Sequence, residues 1–474
     1  MSIQTRRNGR GKASSSELHD NPFIVQYKPP SGETEEERIR RIRKFQDAQR
    51  ASKEIDEGLQ EAKKLMERRR KALKLLLLGQ AEAGKSTVLK NFQMAFTPAQ
   101  FQRERVVWRT IIQLNLIHAV KMIIDVLSNP ESPSSPSDSD STLPPSPCLS
   151  NHRVNRKYRR LRLSLSPLLS VETNVNKIIS NARVESQDLC VRAGGSWKSK
   201  LGFRDSGGGR RSSDTDYSSS VEDGAISDLT RMLEASSDDL TTLWADPEVR
   251  GMLASTGILI NNHPGFFFLH DIARVTSATY EPTDSDILRA RVRTIGVEEH
   301  HIICEGEGNK GSEFFIADVG GARNSRSSWI PYFDDAQAIL FLAPLSFDQM
   351  LEEDRRVNRL EDTMIIWRGI CSSALLAHCI LIIFFNKKDI LQHTLESGVP
   401  VSKYVPSYDG PNEVHAVTKY FKARFKSSLK KLSPKPRPFI SYETSAVDTR
   451  AMKAIIIVVH EGIVRNNLAE SDML

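Results

Sequence analysis

The sequence predicts an α/β fold, with a mostly parallel sheet and crossover helices, interrupted after its first strand by a long helical insertion. Three observations carry this. "KALKLLLLG" (71–79) is a short apolar run that enters a Gly- and Lys-containing loop, and "GKSTVLKNFQMAF" continues it with a helical pattern. Past Asp286, "EFFIADVGG", "AILFLAPL", "CILIIFFNKKD" and "PFISYETSA" are apolar runs that each end in a polar or Gly-containing loop, mostly with helical stretches between them. Such runs suit parallel strands covered on both faces. From 97 to 285 the pattern is instead helical, broken by low-complexity stretches.

Residues 1–34 read as a disordered N-terminus. From 35 to 70 the chain is charged and helical, and Ile39, Ile42, Phe45, Ile55, Leu59, Ala62 and Met66 recur mostly at three- and four-residue steps. This is either a solvated helix with a thin contact face or a partner-docking helix. Residues 71–96 supply the first strand and its helix. The insertion spans 97–285, with helical patterns at about 98–127, 151–187 and 226–274. Its segment 128–150 holds 15 Ser or Pro among 23 residues, and 193–222 is rich in Gly and Ser. Neither buries enough apolar surface to offset its ordering entropy. Residues 286–474 complete the sheet.

The totals narrow the function classes. A chain of 474 residues suits two domains plus tails, and its 39% hydrophobic share fits a partly unfolded chain. A net charge of +7, from 66 basic and 59 acidic residues, is a mixed surface. It favours acidic partners such as nucleotide phosphates or anionic lipid without calling for nucleic acid. Cys148, Cys190, Cys304, Cys371 and Cys379 form no CxxC pair and no secreted framework, which fits a reducing cytosol. "ALLAHCILIIFF" (374–385) reads as the longest apolar stretch, at 12 residues where a spanning helix needs about 20. The polar start "MSIQTRRNGR" is no signal peptide, and Ser2 replaces the Gly of a myristoylation site.

In open α/β sheets, ligands bind at the carboxyl ends of the strands, so those loops carry the chemistry. Gly79 to Ser86, "GQAEAGKS", fits G-x-x-x-x-G-K-[ST] between a strand and a helix. Gly79 and Gly84 allow the tight turn that aims backbone N–H groups and a helix N-terminus at phosphates. Lys85 then reaches the β- and γ-phosphates and the Ser86 hydroxyl ligates Mg²⁺. "FNKKD" places Asn386, Lys387 and Asp389 at a strand end. A carboxylate there accepts hydrogen bonds from guanine N1–H and the exocyclic amine, whereas adenine would leave it unpaired at a cost of ~1–3 kcal/mol or more. The stem of Lys387 can lie along the base. Asp318 serves the magnesium shell through water, and the Gly321 N–H can approach a γ-phosphate. "LRARVRT" (288–294) brings Arg291 and Thr294, though alone it would read as a basic linker. "ETSA" puts the Ala446 N–H where a guanine carbonyl could meet it.

Five such loops in this order resemble the heterotrimeric G-protein α subunits, from about Ile55 to the end of the chain. "LRARVRTIG" is similar to that family's switch I, "FFIADVGGARNSRSSW" to switch II, "FFNKKDI" and "TSAVDT" to its base loops, and "IVRNNL" to its C-terminal stretch. The resemblance implies a Ras-like P-loop GTPase domain with an inserted all-helical domain and an N-terminal helix, and GTP or GDP held between the domains with Mg²⁺. It adds Glu82, Ala83, Thr87, Leu288 and Arg289 to the nucleotide-binding set. Arg291 becomes the catalytic arginine, Glu82 its partner across the nucleotide, and Thr294 with Ser86 the magnesium ligands. The implied partners are a βγ dimer, on the 35–70 helix and switch II with Trp329, a seven-helix receptor on the C-terminal tail, and an effector that the sequence does not name. The implied location is the cytoplasmic face of the plasma membrane, or partly the cytosol, since no N-terminal lipidation motif is read. Ser471 stands where some members carry a cysteine for ADP-ribosylation.

Two departures concern hydrolysis. Ala322 occupies the place of the glutamine that orients the attacking water, and a methyl group makes no hydrogen bond. The usual GAGESGKS is here GQAEAGKS, so Ala81 adds a methyl beside the γ-phosphate. The expectation is a protein that binds GTP and hydrolyses it very slowly, or a GTP-bound scaffold that does not cycle. A nucleotide kinase or ATPase would leave Asn386, Lys387 and Asp389 without a job.

Overall fold

The computed structural model describes residues 32–128, 149–180, 190–192, 197–201, 216–256, 260, 263–305 and 311–470. It falls into two compact units, 1–70 and 71–474. In the first, a helix begins at Glu35 and runs to Lys71. Its start is a reciprocal cap: the Thr34 N–H donates to the Glu37 carboxylate at 3.0 Å, and the Glu37 N–H donates to Thr34 Oγ1 at 3.4 Å. Glu35, Glu36 and Glu37 in the first turn suit the positive end of the helix dipole. Ile39, Ile42, Phe45, Ile55, Leu59 and Met66 are all exposed.

The second unit contains β1 (Leu73–Leu78), β2 (Cys190–Arg192), β3 (Arg293–Ile295), β4 (Val297–Ile303), β5 (Glu313–Val319), β6 (Ala338–Pro344), β7 (Ile380–Asn386) and β8 (Ile440–Glu443). Six of these form one sheet in the order β4-β5-β1-β6-β7-β8. All neighbours run parallel except β4, which is antiparallel to β5. Side-chain alternation explains the unbroken apolar runs. Leu76, Leu78, Phe341 and Phe385 pack into the core on one face, and Leu75, Leu77, Leu340 and Phe384 into the core on the other.

Trp367 anchors the first of these cores. It is fully buried, its ring centroid lies 5.1 Å from that of Phe341 and 5.8 Å from that of Phe425, and its Nε1–H donates to the Phe425 carbonyl at 3.0 Å. Trp367→Ala is expected to lower the unfolding free energy by ~3–5 kcal/mol in urea denaturation, because neighbours this tightly packed cannot collapse into the space.

A separate core, including Ile111, Ile117, Leu165, Leu229, Leu253 and Phe266, belongs to the insertion. Its central helix, Arg105–Ser128, is apolar almost all round and is long and apolar enough to cross a membrane by length and composition. That corrects the sequence reading, which found no such segment: the polar Gln113, Asn115 and His118 interrupt the run without breaking its helical pattern. In the structure the helix is largely buried among its neighbours, as a core helix wrapped on all sides should be. Two further differences concern the insertion. It is not all-helical, because β2 pairs with β3 in parallel. The Gly/Ser-rich segment 193–222 is also not featureless, since Trp197–Lys200 form a helical turn with Trp197 and Leu201 buried. Apart from its ends, 128–150 lies outside the described residues.

Candidate functional site

The loops that leave β1, β5, β7 and β8 open on one side of the sheet, and they meet the Arg289–Arg293 segment around a cavity of about 310 Å³. Glu82, Gly84, Lys85, Ser86, Thr87, Leu288, Arg289, Arg291, Asp318, Gly321, Asn386, Lys387, Asp389 and Ala446 all line it. Gly79 and Ala83 are buried in the same turn as Glu82 and Gly84.

The first loop is shaped by backbone conformations that few side chains tolerate. Gly79 has φ +148° and Gly84 φ +98°, and a Cβ on Gly84 would sit 2.4 Å from Asn386 Nδ2. A Cβ on Gly321 would sit 2.3 Å from the Gln80 carbonyl carbon, so the β5 loop rests directly on this turn. The Lys85 ammonium caps the turn, donating to the carbonyls of Gly79 and Gln80 at 2.9 Å each. Burial lowers the Lys85 pKa to about 8, with Asp318 opposing it, so the group remains charged at neutral pH.

Ser86 donates to Asp318 Oδ2 at 2.7 Å. Burial pushes the Asp318 carboxyl upward, with Lys85 opposing it. Its Oδ1 has no hydrogen-bond partner among the described residues. A buried carboxylate oxygen with no partner, beside a hydroxyl, fits a cation or a cation-bound water. Thr294 falls in β3, where its backbone is in register with Val191; its side chain lies outside the described residues.

Arg291 pairs with Glu82, and also with Glu352 at 3.2 Å. Asn115 fixes the backbone of Arg291, its Oδ1 accepting the Arg291 N–H at 2.7 Å and its Nδ2 donating to the Arg291 carbonyl at 2.9 Å. Arg359, nearly fully buried, donates to Glu82 at 2.9 Å and to the Ala81 carbonyl at 3.0 Å. Burial raises Glu82, but the guanidiniums of Arg291 and Arg359 outweigh it and hold the carboxylate at about 2. Glu82 is one of two non-glycine residues with positive φ among those described, and the other is Lys387 in the base loop. Both strained positions fall on the cavity wall, where strain often accompanies a ligand clamp.

Asn386 acts as a brace between three loops. Its Nδ2 donates to the Ala83 carbonyl at 2.8 Å, and its Oδ1 accepts from the Ala446 N–H at 3.0 Å and the Thr444 hydroxyl at 3.2 Å. The Ala446 N–H, expected to meet a guanine carbonyl, donates here to Asn386 Oδ1, and Ala446 stays on the cavity wall. Asp389 is exposed at the cavity edge, where a bound base would desolvate it. Leu288 is buried, and Arg289 lies over Phe267 at 4.4 Å, so the helix that leads into the arginine is packed on both sides. Trp329, expected to face a partner, is instead buried, with its Nε1–H on the Gly320 carbonyl at 2.9 Å. A large apolar indole beside an acceptor finds both burial and a hydrogen bond there. Arg326 is likewise engaged, by Asp362 at 2.5 and 2.9 Å.

Sequence reading missed Arg359 and Glu352, which complete the charge network, because each is some 270 residues from Glu82 with no local signal. It also passed over Lys90, whose ammonium donates to the Ile287 and Ala290 carbonyls at 2.8 Å and lies 4.1 Å above the Trp108 ring. Its spacing on the first-loop helix was the available clue. On the same wall, burial drives the His300 pKa down to about 3, so the folded protein holds a neutral ring. Below its ordinary value of 6.5 the unfolded chain binds that proton and the native state does not, so this share of stability is lost as pH falls toward 3. The loss from pH 7 to pH 5 is expected to be about 2 kcal/mol smaller in His300→Gln, read from urea midpoints at the two pH values.

A glycine-shaped phosphate turn, an acidic base loop on a nearby strand end and an arginine on the segment that follows the helical insertion together define a P-loop nucleotide-binding protein of the guanine-specific class. The comparison with known sequences narrows this. The G-protein alpha subunit family model matches residues 49–463, and the chain belongs to that family. It is 28% identical to a guanine nucleotide-binding protein alpha-4 subunit of Mycosarcoma maydis, over 98% of each chain. It is 26% identical to a guanine nucleotide-binding protein subunit alpha of Candida albicans (strain WO-1), over 89% of this chain and 95% of that one. A G(o) subunit alpha of Caenorhabditis elegans is 32% identical, over 48% of this chain and 62% of its own. The family is one of guanine-nucleotide-binding, GTP-hydrolysing signal transducers.

Proposed function

We propose that this subunit holds GTP for long periods and hydrolyses it slowly, so that it signals as a long-lived GTP-bound switch. The observation that carries the reading is Ala322 on the wall of the same cavity that Arg291 lines. Lys85, released from its two carbonyls, supplies a charged donor to the terminal phosphates. Arg291 shifts from Glu82 and Glu352 toward charge that builds on the transferred group. Ser86, Asp318 and Thr294 would hold Mg²⁺, which neutralises phosphate charge when bound. None of these groups orients the attacking water, and the Ala322 methyl cannot.

The coupling partners follow the family pattern. The exposed apolar stripe on the 35–71 helix supports βγ docking there, together with the segment around Arg323 and Arg326. The C-terminal tail serves a seven-helix receptor, an effector reads the GTP state, and the protein works at the cytoplasmic face of the plasma membrane. A second reading, a GTP-bound scaffold that does not cycle, is favoured by the same alanine. Nucleotide extracted from freshly purified protein separates the two: a measurable GDP fraction beside GTP is expected of a slow cycling switch, and almost pure GTP of the scaffold. Bound ATP would overturn both.

A further inference from the structure

The helix Val414–Leu432 holds six basic residues and no acidic one, and the loop that follows it adds Lys435 and Arg437 before β8 begins. Its Val417, Phe421, Phe425 and Leu429 recur at every fourth position and are buried in the core that contains Trp367. Lys419, Lys422, Lys426 and Lys430 recur at three- and four-residue steps on the side turned away from that core. Lys422 is half-buried, and Lys419, Lys426, Lys430, Lys431 and Lys435 are exposed.

The basic residues here divide by type. Both arginines are engaged. Arg424 donates to Ser407 Oγ at 2.7 Å and to the Tyr420 hydroxyl at 2.9 Å, and Arg437 donates to the Leu376 and Cys371 carbonyls at 2.7 and 2.8 Å. None of the six lysines forms an ion pair with a carboxylate among the described residues. The 35–71 helix differs, because its basic residues alternate with acidic ones and pair with them, as Arg38 does with Glu35 and Lys53 with Glu57. Like charges four residues apart on a helix, such as Lys422 with Lys426 and Lys426 with Lys430, repel, and nothing in the nucleotide site requires them. An apolar element lies at the same end. Leu432 is 40% exposed, and the two bonds of Arg437 join its loop to the one before β7, where Leu375 is 49% exposed. β7 and β8 are parallel, so both loops enter the sheet at the end away from the strand ends that surround the cavity.

We propose that the lysine face of Val414–Leu432, with Leu375 and Leu432 at its end, is a docking surface for an anionic lipid bilayer. Unpaired ammonium groups on flexible stems suit a diffuse and fluid charge, whereas a partner of fixed shape favours the rigid forks of arginine. Clustered lysines beside exposed leucines match a surface that is drawn to acidic headgroups and seats its apolar side chains at the acyl boundary. A bilayer on this face leaves the nucleotide cavity uncovered, because the cavity lies at the other end of the strands. The proposal deepens the reading that places this subunit at a membrane, and rests on it.

The test is sedimentation of the full chain with vesicles of phosphatidylcholine alone and of phosphatidylcholine with about one third phosphatidylserine. Wild type is expected to bind only the second, and less as salt rises. Lys426→Gln, Lys430→Gln, Lys431→Gln and Lys435→Gln combined should lower partitioning by roughly tenfold or more, and Leu432→Gln alone by about threefold. Lys53→Gln, Lys177→Gln, Lys403→Gln and Lys453→Gln combined remove the same charge from exposed sites elsewhere and should stay within about twofold of wild type. Uptake of a fluorescent GTP analogue should be unchanged in both combinations, which reports that they are folded. Equal binding to both kinds of vesicle, an equal loss in the control combination, or no vesicle binding by wild type overturns the lipid surface. Capture of soluble polyglutamate without vesicle binding overturns it as well and assigns the lysines to an acidic protein. Cell fractionation tests the location separately: a chain that binds anionic vesicles through these lysines yet stays out of the membrane fraction overturns the location and leaves the lipid surface standing.

Discussion

Ala322→Gln should raise single-turnover GTP hydrolysis by roughly 10²–10³-fold, the usual worth of one well-placed hydrogen-bonding group in an active site. The backbone is ready for the change. Ala322 has φ −62° and ψ 144°, ordinary values for a glutamine, and it precedes the Arg323–Tyr332 turn that Ser325 stabilises by donating to the Gly320 and Ala322 carbonyls. The residue is half-buried on the cavity wall, which leaves a longer side chain room to swing inward. Arg291 is held beside Glu82 and Glu352, so the positive charge needed in the transition state is present before the substitution. Only the group that orients water is missing. The gain should appear in the chemical step with little change in GTP affinity, because a water-orienting amide acts mainly as the transition state forms. Equal single-turnover rates in the two proteins would show that Ala322 does not limit hydrolysis. If Ala81 also crowds the water, Ala81→Gly added to Ala322→Gln should increase the rate further.

Asp389→Asn should weaken GTP binding by about 5–150-fold and erase most of the preference over ATP, from the ~1–3 kcal/mol attached to a buried donor or acceptor left unpaired. The substitution keeps size and shape but exchanges one carboxylate oxygen for an N–H₂ group. Guanine presents two donors to this position, so the new amide meets a donor with a donor. Adenine presents neither, and its affinity should change little. Lys387 next to Asp389 has φ +63° and is pressed against the cavity, where burial lowers it to about 8 and Arg359 adds to that effect. Because the Asn386 side chain is committed to Ala83, Thr444 and Ala446, the loop itself should stay in place in the variant. Competition of GTP and ATP for the same site measures the ratio. A variant that still prefers GTP as strongly as wild type would remove Asp389 from base recognition.

Features whose chemistry is local are legible in the order of the residues alone. Gly79, Gly84, Lys85 and Ser86 are read from one loop because a tight phosphate turn restricts every position in it. Asp318, Gly321 and the Asn386–Asp389 run are read because each lies where an apolar strand ends. The mostly parallel sheet follows from the same runs, since strands covered on both faces leave no polar alternation. The insertion was legible as a long interruption between β1 and the later strands. Features that depend on distant partners emerge only once the chain is folded. Folding turned Asn386 into a brace between loops and gave Glu82 two arginines instead of one. It buried Trp329 and made a membrane-length apolar helix, Arg105–Ser128, the centre of the insertion's core. It also brought Trp197 and Lys198 out of a Gly/Ser-rich stretch to the cavity wall. The physical reason is the same in each case. A motif restricts neighbours in the chain, whereas burial and ion pairing are settled by whichever groups the fold brings within a few ångströms, however many residues lie between them.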